Sequence, residues 1–363
     1  MRKKFPAYYR TNRDRLIEKF EDFVFVYDAS SLLDVFRLNQ ESTEEVINVI
    51  KHYAAQIIVP FQAAKEYNCN IHRVLKEQLQ NINSAEKTLE SFTRALRAKR
   101  QQPYISSATT ALLEKLQKRI KLDFKGQRDY VERQLIHGDL INKMADLLDE
   151  KVLNPFSNDE IEEIKNEGKT RYAANIPPGY KDEKKDDNQY GDLIIWKEIL
   201  RFAKEKRKCI LYVTNDAKED WVIKEEGKTI GPRYDLIEEF YNEVGDSTLI
   251  FHVYTLDRFL DFIREKNNTI VSETTIDNVR EIVRESSVDL SDDLKNDYIN
   301  RSNVGLEQEK ASGLMKITQL EERYPIPAKE KIICEDKQNY ADSEGGAKQL
   351  AFDEPSDSKN NTK

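Results

Sequence analysis

The chain has 363 residues, of which 39% are hydrophobic and 34% are charged. This length allows one large domain or two ordinary ones, and the composition is typical of a soluble protein with a modest core. No apolar run approaches the roughly 20 residues of a membrane helix, and no secretory signal is visible, so we expect a cytoplasmic protein without membrane contact. The three scattered cysteines, Cys69, Cys209 and Cys334, argue against a disulfide framework.

The net charge of −8 counts mildly against a nucleic acid as partner, because nucleic-acid binders are often basic overall. Two segments rich in Lys and Arg, residues 94–100 and 114–128, could still supply a local basic surface. A solvated helix face is the plainer interpretation of both segments, and the composition leaves the two interpretations open.

The first part of the chain alternates strand-like and helix-like patterns. Residues 1–20 read as a polar, basic helix, and the apolar run 23–27 reads as a buried strand that ends at Asp28. After a helical stretch, residues 56–60 form a second strand pattern that Pro60 ends. The helix predicted after this proline carries Glu66.

From about residue 71 to about residue 172 the pattern becomes purely helical. Apolar residues recur every seven positions from Leu75 through Ile82 and Leu89, which is typical of a long helix of coiled-coil character. We interpret this stretch as a helical insertion that projects from the main body. It could add core and rigidity, or it could select substrate or bind a protein partner.

The α/β pattern then resumes. Residues 175–192 read as a loop, 193–206 as a helix, 209–214 and 248–254 as strands, and 255–266 as a closing helix. Strands that alternate with helices favour parallel pairing. The expected fold is therefore α/β, a three-layer sandwich with a mainly parallel central sheet plus the helical insertion.

This pattern divides the chain into three regions. Residues 1–266 would form the main domain with its insertion, residues 267–328 a helical C-terminal extension, and residues 329–363 a disordered acidic tail that is low in hydrophobic residues. The oligomeric state is not predicted.

Four acidic residues lie where a parallel sheet could gather them. Asp28 follows the first strand, Glu66 lies in the helix after the second, Asp192 opens the helix before the third, and Asp216 comes just past that strand. Sites in open parallel sheets form beyond the carboxyl ends of the strands. Because clustered carboxylates repel one another, this arrangement points to a hard divalent cation such as Mg²⁺.

Each acid also has a plainer interpretation. Asp192 and Asp216 could cap helices, and Glu66 could be an ordinary exposed residue, whereas Asp28 after a buried strand has little structural reason to be acidic. We expect other acids near the predicted site to be solvated, namely Asp34, Asp182, Asp186 and Asp187.

Several catalytic classes lack their motif here. A phosphatase of the haloacid dehalogenase type needs an aspartate where this chain has Ser30, and no GxxxxGK[ST] phosphate loop occurs. The four histidines show no zinc-binding spacing, and no elbow motif introduces a Ser-His-Asp triad.

Six segments resemble the PIN domain superfamily, and more closely its PIN-like branch of large bacterial proteins. They are YDASSLLDVFR, VPFQAAKEY, IPPGYKDEKK, QYGDLIIWKEIL, VTNDAKEDW and GPRYDLIEEF, which together cover roughly residues 20–70 and 175–262. The resemblance implies a nuclease acting on RNA or DNA with one or two Mg²⁺ or Mn²⁺ ions. Its acidic quartet falls on Asp28, Glu66, Asp192 and Asp216, with Asp220 as a fifth acid in the same motif.

The resemblance also suggests roles for other side chains. Ser30 falls where many PIN domains carry Asn or Ser beside the first aspartate, so it could bind a carboxylate or a phosphate. Lys218 and Arg233 could steady phosphate charge, although each could instead be a structural salt-bridge residue. The implied reaction is metal-assisted hydrolysis without a protein nucleophile.

Two other functions stay open. A PIN-fold protein could bind RNA or a protein without cutting, and the helical stretch 71–172 could act mainly as a scaffold. A toxin or antiviral role follows only from analogy with similar domains.

Overall fold

The structure is a computed structural model, and it describes residues 1, 4–9, 11–97, 105–182, 188–216, 218–225 and 228–287, with backbone alone at residues 228, 286 and 287. The predicted tail and the part of the predicted extension beyond residue 287 lie outside the described residues. No helix in the described ranges is long and apolar enough to cross a membrane.

Six strands occur in the described residues and form two sheets. They are β1 (Phe23–Tyr27), β2 (Ile57–Ile58), β3 (Cys209–Val213), β4 (Val222–Glu225), β5 (Lys228–Pro232) and β6 (Phe251–Tyr254). The larger sheet has the order β2-β1-β3-β6 with every neighbouring pair parallel, and the smaller is the antiparallel hairpin β4-β5.

The central strands β1 and β3 are buried along their whole length, as their continuous apolar sequences predict. Phe25 lies between Ile57 of β2 and Leu211 of β3, so the three strands are in register across the sheet. Because all four strands are parallel, their carboxyl ends meet at one edge, which is where the candidate acids come together.

Helices surround this sheet. They are α1 (Arg13–Glu18), α2 (Ala29–Asp34), α3 (Gln40–His52), α4 (Phe61–Leu96), α5 (Ser107–His137), α6 (Asp139–Leu148), α7 (Asn158–Ala173), α8 (Gly191–Lys206), α9 (Tyr234–Val244), α10 (Leu256–Lys266) and α11 (Glu273–Ser287). The predicted α/β fold with a parallel central sheet and a large helical part is confirmed.

The helices α4 and α5 form a long antiparallel pair, which we call the arm. Ion pairs between the two helices join Glu86 to Arg128 and Glu90 to Lys121, with distances of 2.6 and 2.5 Å. The helix α4 has 36 residues and spans about 54 Å. It begins at Phe61, directly after Pro60, so the expected start of the insertion at about residue 71 lies inside one continuous helix.

Some predicted elements differ from the structure. Residues 1–20 do not form one helix, since α1 covers only Arg13–Glu18, and β2 is reduced to two residues. The hairpin β4-β5 was not predicted, because its strands are short and only the start of β4 is buried. The helix α11 packs its apolar face, including Ile276 and Val279, into the main core.

Candidate functional site

Asp28 lies at the end of β1 and begins α2 as its N-cap residue. Its Oδ2 atom accepts hydrogen bonds from Ser30 Oγ at 2.6 Å, Thr214 Oγ1 at 2.8 Å and the Ser30 amide at 3.4 Å. The residue is 7% exposed. Asp28 therefore caps α2 and anchors the loop after β3, two roles that need a hydrogen-bond acceptor but not a negative charge.

Ser30 connects the two loops that follow β1 and β3. Besides donating to Asp28, its hydroxyl oxygen accepts the amides of Asn215 at 3.0 Å and Asp216 at 3.3 Å. One hydroxyl thus holds Asp28 and Asp216 near each other. The predicted hydrogen bond from Ser30 to a carboxylate is present.

Glu66 lies on the second turn of α4 and faces the start of α8. Its Oε1 atom accepts hydrogen bonds from Gln62 Nε2 at 2.9 Å and Asn188 Nδ2 at 2.7 Å. A Cβ atom added at Gly191 would lie only 2.7 Å from Glu66 Oε1. The first turn of α8 thus lies against the base of the arm, and a Cβ at this position would displace the end of the Glu66 side chain.

Asp192 is the second residue of α8, and the N-cap position is Tyr190, so the alternative that Asp192 caps this helix is wrong. Its side chain is 19% exposed, yet the Oδ2 atom is buried and has no hydrogen-bond partner. Burial and the negative charges of Asp182, Asp216 and Asp28 together raise the pKa of Asp192 to about 8, against the opposing effect of Lys218.

Lys218 places its ammonium group among three acids. The Nζ atom lies 2.8 Å from Asp182 Oδ2, 2.9 Å from Asp216 Oδ2 and 3.6 Å from Asp192 Oδ2. Burial acts to lower the pKa of Lys218, but the surrounding carboxylates outweigh it and hold the pKa above the ordinary lysine value. Lys218 is therefore a charged, structural ion-pair residue in this structure.

Asp182 belongs to this cluster although we expected it to be solvated. It is 8% exposed, and the prediction was wrong because the loop after Gly179 folds back over the sheet edge. Asp34 is also buried, at 6% exposed, and it is paired with Arg37 and with Asn215 Nδ2. Asp186 and Asp187 lie outside the described residues.

Asp220 holds the loop that carries Asp182. Its Oδ2 atom accepts the amides of Gly179 at 2.9 Å and Lys181 at 3.4 Å, while its buried Oδ1 atom has no hydrogen-bond partner. Burial raises the pKa of Asp220. Gly179 has a φ of 92°, and a Cβ atom there would clash with the Tyr172 hydroxyl, so the loop depends on glycine.

Arg233 lies apart from these contacts. Its guanidinium pairs with Asp235 at 2.8 Å and donates to the Glu219 carbonyl at 3.3 Å. Its predicted role in binding phosphate stays a prediction.

The four predicted acids surround one region of the sheet edge. Burial raises the pKa of the Tyr212 hydroxyl in β3, and the charges of Asp28, Asp192 and Glu66 add to this effect, while Asp216 joins Asp192 through Lys218. In the described ranges, no three Asp, Glu, His or Cys side chains already form a metal-ligand group. The all-oxygen donor set and the buried Oδ2 atom of Asp192, which accepts no hydrogen bond, nevertheless fit a hard divalent ion.

Residues 24–236 match the family model for a PIN like domain, which is more than half of the chain. This chain belongs to the PIN-like domain family. The matched span contains the four acids, Asp182, Lys218 and the whole arm. PIN-like domains are generally nucleases that use divalent metal ions. Neither the curated proteins nor the solved structures gave a match.

Proposed function

We propose that this PIN-like protein is a Mg²⁺- or Mn²⁺-dependent nuclease that hydrolyses phosphodiester bonds in RNA or DNA. The observation that carries the proposal is the buried Asp192 Oδ2 atom, which has no hydrogen-bond partner and lies among acids from separate segments. The Lys218 ammonium lies 3.6 Å from this oxygen, beyond hydrogen-bond distance, so the burial of the carboxylate is only partly compensated, and a closely bound cation would compensate it further.

In this proposal Asp28, Glu66, Asp192 and Asp216 hold the ion, and Asp220 stands beside them as a further acid. When bound, the ion supplies Lewis acidity and lowers the pKa of a coordinated water. The chain's own hydrogen bonds orient the ligands: Ser30 and Thr214 fix Asp28, while the side-chain amides of Gln62 and Asn188 fix Glu66.

The same proposal assigns the remaining predicted side chains to substrate binding. Ser30, Lys218 and Arg233 would contact phosphate oxygens. A function as a toxin or antiviral effector is a further proposal that rests on analogy with similar domains.

The test compares cleavage of single-stranded RNA and branched DNA by wild type, Asp28→Asn and Asp159→Asn with and without Mn²⁺. Asp159 is an exposed acid on α7 and serves as the matched control. We expect metal-dependent cleavage that Asp28→Asn reduces at least about 100-fold, because ligand changes cost at least as much as changes in the surrounding hydrogen bonds.

A negative result has a specific meaning. If wild type binds these nucleic acids but cuts none of them with Mn²⁺ or Mg²⁺, the chain is a non-cleaving binding module. If the Asp159→Asn variant loses activity as strongly as Asp28→Asn, the assignment of the site is wrong.

A further inference from the structure

The ammonium group of Lys218 lies among the carboxylates of the candidate site. Its ammonium contacts carboxylates from three separate segments: Asp182 in the turn after Gly179, Asp192 in α8 and Asp216 in the loop after β3. In the described part of the chain, no second Lys or Arg forms an ion pair with Asp192 or Asp216.

The ammonium and a divalent ion would need the same oxygen atoms. Lys218 Nζ lies 2.9 Å from Asp216 Oδ2 and 3.6 Å from Asp192 Oδ2, in the space between two proposed metal ligands. Mg²⁺ binds oxygen at about 2.0–2.1 Å, so its ligands close tightly around it. Both cations cannot occupy this space together.

The Lys218 side chain can leave without moving its backbone. The Lys218 carbonyl accepts the amides of Trp221 at 3.0 Å and Val222 at 3.1 Å, and the Lys218 amide donates to the Asp216 carbonyl at 2.9 Å. Trp221 is buried against Tyr212. The segment is thus anchored, while a lysine side chain, with its flexible four-carbon stem, can turn outward.

We propose that Lys218 is the resident cation of the metal-free site, that a divalent ion displaces its ammonium from between Asp192 and Asp216, and that the freed ammonium then binds a substrate phosphate. This inference rests on the proposed metal site. It makes binding ordered, since the metal ion enters first and productive nucleic-acid contact follows.

The first measurement is the affinity for Mn²⁺ of the full chain, by calorimetry or electron paramagnetic resonance. We expect Lys218→Met to bind Mn²⁺ more tightly by about 10-fold or more, because an ammonium within ion-pair distance no longer competes for the ligands. The matched control is Lys197→Met. Lys197 is similarly half-buried and bridges Glu167 and Glu239 at 2.8 and 3.4 Å, so its loss should leave Mn²⁺ affinity unchanged.

The second measurement separates displacement from simple repulsion between charges. An amine-reactive label, read by mass spectrometry, should modify Lys218 of wild type faster when Mg²⁺ is saturating, while the labelling of Lys197 stays constant. Unchanged labelling of Lys218 would overturn the inference even if Lys218→Met bound Mn²⁺ more tightly.

The outcomes distinguish this inference from the proposed function. If wild type and Lys218→Met bind Mn²⁺ with equal affinity while Asp28→Asn loses Mn²⁺ binding, the displacement of Lys218 is contradicted but the proposed metal site is supported. Absence of Mn²⁺ binding in every variant would remove both.

Discussion

At the sheet edge, Lys218 forms ion pairs with three carboxylates, and one buried oxygen of Asp192 accepts no hydrogen bond. On the arm, by contrast, Arg128 and Lys121 each form an ion pair with one glutamate near the surface. Surface pairs contribute little and tolerate change, but buried acids without partners lower stability. The comparison indicates that the buried acids at the sheet edge are not explained by the stability of the fold.

One helix connects the two regions. At its base α4 buries Ala63 and Val74 and presents Glu66, while toward its far end Phe92 is 55% exposed. On the facing helix, Leu112 is 68% exposed. The same helix therefore belongs to the core at one end and to an open surface at the other.

The largest expected effect on stability comes from Asp192→Asn in the metal-free protein. Because the folded pKa of Asp192, about 8, lies above its unfolded value, the folded state loses stability as pH rises from about 4 to 8. Removing the charge should therefore stabilise the protein by up to about 5 kcal/mol at pH 8 and by no more than about 2 kcal/mol at pH 5.

Urea unfolding in a chelator, at pH 5 and pH 8, measures this difference. Asp159→Asn is the control and should change stability little at either pH. A loss of stability in Asp192→Asn at pH 8 would contradict the account of an uncompensated buried acid.

Next in size is Gly191→Ala at the junction of α8 and α4. The added Cβ would lie 2.7 Å from Glu66 Oε1 and 2.5 Å from Asn188 Nδ2, so these side chains must move. We expect a loss of only about 1 kcal/mol, because the flexible ends of these side chains can shift, and weaker Mn²⁺ binding through the displaced Glu66. Thermal unfolding measures the effect on stability, and Mn²⁺ titration measures the effect on binding. An unchanged Mn²⁺ affinity would show that Glu66 is not a metal ligand.

The same substitution on the arm should act in the opposite direction. A Cβ at Gly126, in the middle of α5, would meet nothing within 4 Å. Gly126→Ala should stabilise the protein by about 0.5–1 kcal/mol, because alanine favours the helix. Thermal unfolding checks this, and a destabilised variant would show that the arm packs against something at this position.

The smallest effect is expected for Arg128→Ala, which removes the pair with Glu86. Both side chains are 28% exposed, and ion pairs near the surface contribute up to about 1 kcal/mol and weaken with salt. Unfolding at low and high ionic strength should show a small loss that salt reduces, with cleavage unchanged. A large loss of cleavage would give the arm a role in substrate binding.

The hydrophobic pattern was enough to predict the parallel strands, whereas the shared metal site of the four acids stays a prediction. A short, continuous apolar run such as residues 23–27 predicts a strand that is buried on both faces of a parallel sheet. Parallel strands bring Asp28 and Asp216 to the same edge of that sheet. The existence of the arm was also visible, although its base was not, because α4 continues from Phe61 without a break in pattern.

The contacts of Asp182 and Lys218 could not be predicted. They depend on a loop conformation that Gly179 and the buried Asp220 set together, and neither local pattern nor spacing reports such a tertiary contact. The segment containing Asp182 did carry part of the family resemblance, which was the one available signal. The predicted protein partner of the arm stays a prediction.

The most direct test of the shared metal site is anomalous diffraction from crystals soaked with Mn²⁺. The account predicts a Mn²⁺ peak bounded by Asp28, Asp192 and Asp216, with Lys218 Nζ withdrawn from the acids. An absent peak at saturating Mn²⁺, with Lys218 still paired to Asp182 and Asp216, would contradict it.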